Sequence, residues 1–383
     1  MISSWRPLFA IVTVFLSFAL FHSIPPGYWL SPSHGLSSKL KKEEWPKMKP
    51  IEKPVESKLV DQLVRVVVVA RLSSEDVSWL HEELPDVPTA VYTVDDPTAP
   101  LHPPKNKGRE AMVYLSYLID HYDNLPDEMI FLHYHRWAWH NNDLLDLDAV
   151  QAITALSSPY VQRRGYVNLR CHWKPGCPDW MHPLDPTIYA NGFKQEELEL
   201  DATFRELFPS HPVPETLAQP CCAQFALTRS FAQNITRQRY VEIRNWLLDT
   251  PLDDMVSGRV LEFLWQYLFT NEAVVCPRTD ICYCDGFGIC FGGESQLTTW
   301  LNLRDKQRKL QRVLKILEEG EDEDGDEQEI GGPTQNITDE VRENIEKIKD
   351  ELDTKLREAK RRGEDPRNRA FDSGRAWKEG DGF

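Results

Sequence analysis

Hydrophobic positions change their period along this chain, and each change marks an element. LVRVVVVA, residues 63–70, is a continuous β-branched run, the pattern of a strand buried on both faces. SEDVSWLHEEL follows, with Ser73 or Ser74 as the expected cap and acidic residues in the first turn, where the helix dipole favours them. TAVYTVDDP (89–97) reads as a second strand, stopped by Pro97. NKGREAMVYLSYLIDHYDNLP (106–126) places Met112, Leu115, Leu118, Ile119 and Tyr122 at helical spacing, with Asn106 as cap. EMIFLHYH (128–135) is a third strand. Strand, helix, strand, helix, strand predicts an α/β domain of three layers around a mainly parallel sheet.

The pattern fails at both ends. Residues 8–24, LFAIVTVFLSFALFHSI, carry no Asp, Glu, Lys or Arg and read as a signal anchor behind a cytosolic tail of residues 1–7, with a cleaved signal peptide as the alternative. Residues 25–62, rich in Pro, Ser and Lys, read as a stem linker. The globular domain is expected over 63–303. Beyond it, nine acidic residues between Glu318 and Glu329 predict a self-repelling, disordered stretch within a tail of residues 304–383. Val341, Ile345, Ile348, Leu352 and Leu356 recur at steps of four and three, so a helix is expected near 338–362, solvated or partner-binding.

Charge and cysteine usage narrow the compartment and the partners. The net charge of −16 and the lack of a basic stripe interleaved with aromatics argue against nucleic acid. Lys39, Lys41, Lys42, Lys47 and Lys49 follow the apolar run and only Arg6 precedes it, which argues mildly for a cytosolic body. Against this stand sequons at Asn234 and Asn336 and an even set of eight cysteines: Cys171, Cys177, Cys221, Cys222, Cys276, Cys282, Cys284 and Cys290. The last four are spaced by five, one and five residues, unlike paired C-x2-C zinc ligands, so disulfides in an oxidising lumen are expected. Their connectivity is not legible. A single-pass protein of the Golgi or another secretory lumen results, or a secreted one if the leader is cleaved.

Candidate chemistry collects where the three strands end, since open α/β sheets bind ligands beyond the carboxyl ends of their strands. Arg71, Ser73 and Ser74 follow the first; Asp95 and Asp96 the second; His133, His135 and His140 the third. His133 and His135, two apart on a strand, would share a face. As metal ligands with His140 or Asp143 they would suit zinc, copper, iron or nickel better than magnesium. They would equally serve as phosphate donors or acid/base groups, or only satisfy backbone at the strand end. Arg109, with Glu110 at the start of its helix, would clamp a phosphate or pair with a carboxylate. Asp95 and Asp96 would accept from a base or ribose, or cap the turn at Pro97.

The blocks VVVVARLSSEDVSWL, YTVDDPT, NKGREAMVYLSYLIDHYDNLPDEMIFLHYH and GRVLEFLWQYLF resemble a fungal family of uncharacterised membrane-anchored proteins, over about 63–295. More distantly, the order of the first three is similar to the nucleotide-sugar glycosyltransferases of the type A fold. There a VDDGST-like turn holds the base, an Asn-x-Gly helix follows, and a third strand ends in Asp-x-Asp. The counterparts here are Val94-Asp95-Asp96-Pro97-Thr98, Asn106-Lys107-Gly108 and Phe131-Leu132-His133-Tyr134-His135. Two imidazoles stand where two carboxylates would hold a divalent metal. The resemblance thus implies a nucleotide-sugar site at Asp95, Asp96, Asn106, Lys107, Arg109 and His133, with metal dependence open.

In the second half, Glu262 lies in an otherwise apolar helix. It would act as general base on an acceptor hydroxyl, His135 being the other catalytic candidate, or form a buried pair with Arg259. Gln224, Trp265 and Gln266 are candidate linings of an acceptor cleft. The expectation is a glycosyltransferase-like protein acting on a glycan or glycoprotein. A non-catalytic binding or scaffold protein of the same fold is the second expectation and a histidine-metal hydrolase the third.

Overall fold

The computed structural model describes residues 63–185, 195–319 and 333–383. The expected anchor and stem lie outside them, as does most of the acidic run. Among the described residues, no helix is long and apolar enough to cross a membrane. The described residues all fall in one compact unit.

The elements, in chain order, are β1 (Arg65–Arg71), α1 (Trp79–Glu83), β2 (Thr89–Thr93), α2 (Glu110–Asp120), β3 (Glu128–His133), α3 (Ala149–Ala155), α4 (Ser158–Arg164) and β4 (Tyr166–Asn168). After them come α5 (Gln195–Leu207), β5 (Phe225–Thr228), α6 (Arg229–Gln233), α7 (Arg237–Asp249), α8 (Asp254–Glu262) and α9 (Trp265–Thr270). A π-helical turn at Cys282–Gly286 precedes α10 (Glu294–Glu319), α11 (Pro333–Gly363) and α12 (Pro366–Asp372).

The strands form one sheet in the order β2-β1-β3-β5-β4. β1 pairs in parallel with β2 and with β3, as expected. The sheet as a whole is mixed rather than mainly parallel, because β5 runs antiparallel to both β3 and β4. The reason is where the connection lies. β4 ends on the same rim as β1 and β3, and the segment that follows leaves and returns at that end, where Leu169 N donates to Gln224 O at 3.0 Å. A strand that re-enters from the rim can only run down against its neighbours.

Side-chain alternation along the strands feeds two cores. Val68, Met129, Phe131 and Phe225 pack with α2, α7, α8 and α9 on one face. Val67, Val69, Ile130, Leu132 and Ala226 pack with α1, α3, α4 and the π-helical turn on the other. In α2 every residue from Ala111 to Ile119 is buried, because the helix lies between the sheet and α7 rather than on the surface. Asn106 does not cap α2; the cap position is Arg109 at φ 54°, after Gly108 at φ 74°. A Cβ on Gly108 would stand 2.5 Å from Leu247 Cδ1, so the turn into α2 needs glycine for space as well as for φ. Ser73 and Ser74 cap no helix either: α1 begins only at Trp79.

The C-terminal segment departs furthest from expectation. The boundary at residue 303 falls inside α10, and the helix expected near 338–362 is α11, packed into the body. Ile345, Ile348 and Leu352 are buried, Trp300 Nε1 donates to Leu352 O at 3.0 Å, and Cys290 N donates to Ala359 O at 3.0 Å. The apolar stripe was legible, but its partner, Trp300 with Phe287 and Ile289, lies across the chain. The sequon residues Asn234 and Asn336 are both exposed, one at the end of α6 and the other on α11.

All eight cysteines are paired: Cys171–Cys282, Cys177–Cys276, Cys221–Cys222 and Cys284–Cys290. The first spans 111 residues and ties the exit of β4 to the π-helical turn. Closing a loop of that order removes about 4–5 kcal/mol of unfolded-chain entropy. Because Cys177–Cys276 already joins the same two segments, the double variant Cys171→Ala, Cys282→Ala reopens a ring of only about 14 residues and is expected to lose about 3 kcal/mol in urea titration; a midpoint unchanged from wild type would refute it.

Candidate functional site

The carboxyl ends of β1, β2 and β3 lie side by side, with Arg71 opposite Thr93 and Ala70 opposite His133. The rim exists, but its polar residues divide into two groups.

Most of the residues expected to hold a nucleotide are already bonded to other groups of the fold. Asp95 accepts from Ser73 N at 2.7 Å and from Ser73 Oγ at 2.8 Å, and these bonds hold its carboxyl below the usual range. Asp96 accepts from Thr98 Oγ1 at 2.6 Å and from Thr98 N at 2.9 Å, closing the turn at Pro97; its carboxyl is likewise lowered. Lys107 Nζ donates to the carbonyls of Leu248 and Thr250, and burial followed by Lys105 lowers its ammonium. Arg109 pairs with Asp254, Nε to Oδ2 at 3.0 Å, and not with Glu110. Asn106 is exposed on the loop before it. Trp265 is fully buried against Tyr114, Phe225 and Phe269, a core residue and not part of a cleft. Gln266 is fully buried as well.

The second group converges. His133 ends β3, and its Nε2 lies 2.7 Å from the Cys222 carbonyl, which leaves the proton of the pair on that nitrogen. The Cys222 N–H donates to Glu262 Oε1 at 2.8 Å. The two peptide groups that flank the Cys222 Cα thus hold a carboxylate through the Cys222 N–H and an imidazole through the Cys222 carbonyl. Gln224 fixes the strand end, accepting from His133 N at 3.2 Å and donating to Asn141 Oδ1 at 3.0 Å. Beyond His133 the strand stops, so His135 is not held to the same face. The rings of His133 and His135 approach His140, at 4.7 and 5.9 Å between centroids. Trp139 packs edge-on against His140 at 5.7 Å, and both Trp137 and Trp139 are more than half exposed.

Protonation follows burial. Desolvation, then repulsion from Glu110, pushes the Glu262 carboxyl up to about 7, against the opposing pull of His133 and the Cys222 N–H. Glu262 nevertheless keeps a partial opening to solvent. The pair expected with Arg259 does not form, because Arg259 bridges to Glu196 at 3.3 Å. Desolvation and then His133 and His135 press His140 down to about 3, and desolvation lowers His135.

The expected metal centre does not assemble. Among the described residues, the His, Cys, Asp and Glu donors that cluster within 4.8 Å are those of Cys284, Cys290 and Asp372, and the two sulfurs are joined in a disulfide. His133 is spent on a carbonyl, and Asp143 is engaged elsewhere. Burial alone would raise Asp143, but His172, Arg304 and the Tyr283 hydroxyl hold it far below the usual carboxylate range.

Sequence reasoning missed the group behind this site. Arg170, buried just past β4, donates from Nη1 to Cys221 Sγ at 2.7 Å, from Nε to His172 Nε2 at 2.6 Å and from Nη2 to the Lys174 carbonyl at 2.7 Å. Its guanidinium also lies 5.4 Å from the Trp139 ring. The one signal available was the adjacent pair Cys221-Cys222 in a chain otherwise expected to be disulfide-bonded. A cavity of about 460 Å³ lined by Leu145, Val150, Phe287 and Ile289 among others shares no residue with this rim.

Fold and site together define a disulfide-bonded mixed α/β domain whose ionisable groups meet at the carboxyl rim of its sheet. The family model described as "Protein of unknown function (DUF3431)" matches residues 67–285, and the chain belongs to that family. The match runs from β1 to the π-helical turn and contains His133, Cys221, Cys222 and Glu262. No curated protein and no solved structure matches the chain.

Proposed function

We propose that this protein is a glycosyltransferase-like protein of the secretory pathway, in which Glu262 takes the proton from an acceptor hydroxyl of a glycan. The observation that carries this reading is the Cys222 backbone, whose N–H binds Glu262 and whose carbonyl binds His133 at the carboxyl end of β3. A base is most effective when its pKa lies near the working pH, and Glu262 meets that condition through burial and Glu110. The exposed indoles of Trp137 and Trp139, on the loop that leaves β3, offer flat apolar faces of the kind on which the C–H faces of a sugar ring pack. Four disulfides and two exposed sequon asparagines are consistent with a lumenal body. No metal is assigned a role.

A second reading is favoured by one observation: Asp95, Lys107 and Arg109 are already satisfied within the fold. This describes a glycan-binding protein that has no nucleotide site. The two readings separate by thermal shift of the purified body with uridine, guanosine and adenosine diphosphates and, separately, with oligosaccharides. A transferase is expected to gain about 2.7 kcal/mol at a hundredfold excess of its nucleotide over Kd. Stabilisation by oligosaccharides alone would favour the second reading, and none from either class would reject both.

A further inference from the structure

We propose that Cys221–Cys222 is a redox site, opened by a small dithiol or a dithiol protein, with Arg170 as the cation that receives the thiolate. Two independent observations lead there. The first is an unbalanced buried charge. Arg170 is 4% exposed, and its hydrogen-bond partners are a ring nitrogen, a carbonyl and two sulfurs, with no carboxylate among them. Buried cations are ordinarily paired with anions. Here His172 Nε2 accepts from Arg170, which puts its proton on Nδ1, facing Asp143 Oδ1 at 3.2 Å. The nearest carboxylate is thus held one residue away. The anion that would pair directly with Arg170 is the one that reduction creates, a thiolate on Cys221.

The second observation concerns the other three bridges. Cys171–Cys282 and Cys177–Cys276 join segments 111 and 99 residues apart, and Cys284–Cys290 closes a turn covered by α11 and α12. Cys221–Cys222 joins neighbours in sequence and closes no loop, so the fold gains little from it by restricting the unfolded chain. What it does constrain is local. Cys222 and Ala223 sit at φ 87° and 49°, values that residues with a Cβ seldom adopt. The Cys222 backbone held in this way is the one whose N–H and carbonyl bond Glu262 and His133.

The exchange is written with its atoms balanced. One sulfur of the dithiol attacks Cys222 Sγ, and the bond to Cys221 breaks, because a thiolate stabilised by Arg170 is the better leaving group. The second sulfur then displaces Cys222 from the mixed disulfide. The products are the oxidised dithiol, a Cys221 thiolate, a Cys222 thiol and one proton released to solvent. Once the bond is open, Cys222 is free to return to negative φ, and the backbone link between Glu262 and His133 lets go. Only this last consequence rests on the function proposed above.

The test is graded reduction of the native full chain with dithiothreitol, trapping with iodoacetamide and peptide mass spectrometry, with no nucleotide present. Cys221 and Cys222 are expected to be labelled at a reductant concentration about tenfold below that needed for any other cysteine. After mild reduction, the alkylation rate of Cys221 should show a midpoint below the ordinary thiol value of about 8.5, and Arg170→Met should raise it. If the variant does not fold, the wild-type midpoint decides alone. Simultaneous or earlier opening of another pair, or a Cys221 midpoint at or above that of a free thiol, overturns the proposal. Because the labelling needs no substrate, failure of the transferase reading leaves this result to stand or fall separately.

Discussion

Glu262→Gln is expected to raise the melting temperature at pH 8 and to leave it nearly unchanged at pH 4.5. The Glu262 carboxyl goes from 4.5 to about 7 on folding, so the folded state binds its proton more tightly than the unfolded chain. Stability from this group is fully present below about pH 4.5 and is lost as pH rises through about 7. Glutamine has no proton to lose, and its amide oxygen can still accept from Cys222 N. At 1.36 kcal/mol per unit, the gain is on the order of 3 kcal/mol, roughly 5–10 °C for a domain of this size. Any transferase activity should fall in the same variant by about 10²–10⁴, the usual worth of a general base. A variant that is no more stable at pH 8 than at pH 4.5, relative to wild type, would refute the raised carboxyl.

A chain ending at Leu303, the boundary that composition suggests, is expected to be insoluble or to bind hydrophobic dyes at rest. It cuts α10 within its length and removes α11, whose Ile345, Ile348 and Leu352 are buried. Three such side chains contribute roughly 1.5–3 kcal/mol each, together comparable with the whole stability of a typical domain. Gly363 also passes so close to Gly288 that a Cβ there would stand 2.0 Å from the Gly288 carbonyl oxygen, a fit that no shorter chain can make. Arg375, on the last segment, bonds Asp285 at 2.8 Å in the π-helical turn. A truncated chain melting within 2 °C of the full one, on a scale where about 1 kcal/mol shifts Tm by 2–4 °C, would show that the body folds without its C-terminal helices.

These two experiments probe the two places where local pattern and tertiary outcome part. The β-branched run at Val66–Val69 and the continuous apolar run Met129–Leu132 determined a sheet with two buried faces, since such runs act over a few residues and need no distant partner. The same local logic marked the stripe from Val341 to Leu356 as a helix, and the count of cysteines marked a disulfide-bonded body. Pairing was decided elsewhere. Which cysteine meets which, and that β5 enters against its neighbours, depend on where the segment between Leu169 and Gln224 returns to the rim. Asp95, Asp96, Lys107 and Arg109 had the right types and spacing for a ligand, yet Ser73, Thr98, the Leu248 and Thr250 carbonyls and Asp254 claim them. A short polar side chain at a turn bonds whatever the fold brings within 3 Å. Glu262 and His133 were legible as candidates one at a time, but 129 positions separate them. Only the backbone of Cys222, turned to positive φ at the sheet's rim, makes them one site.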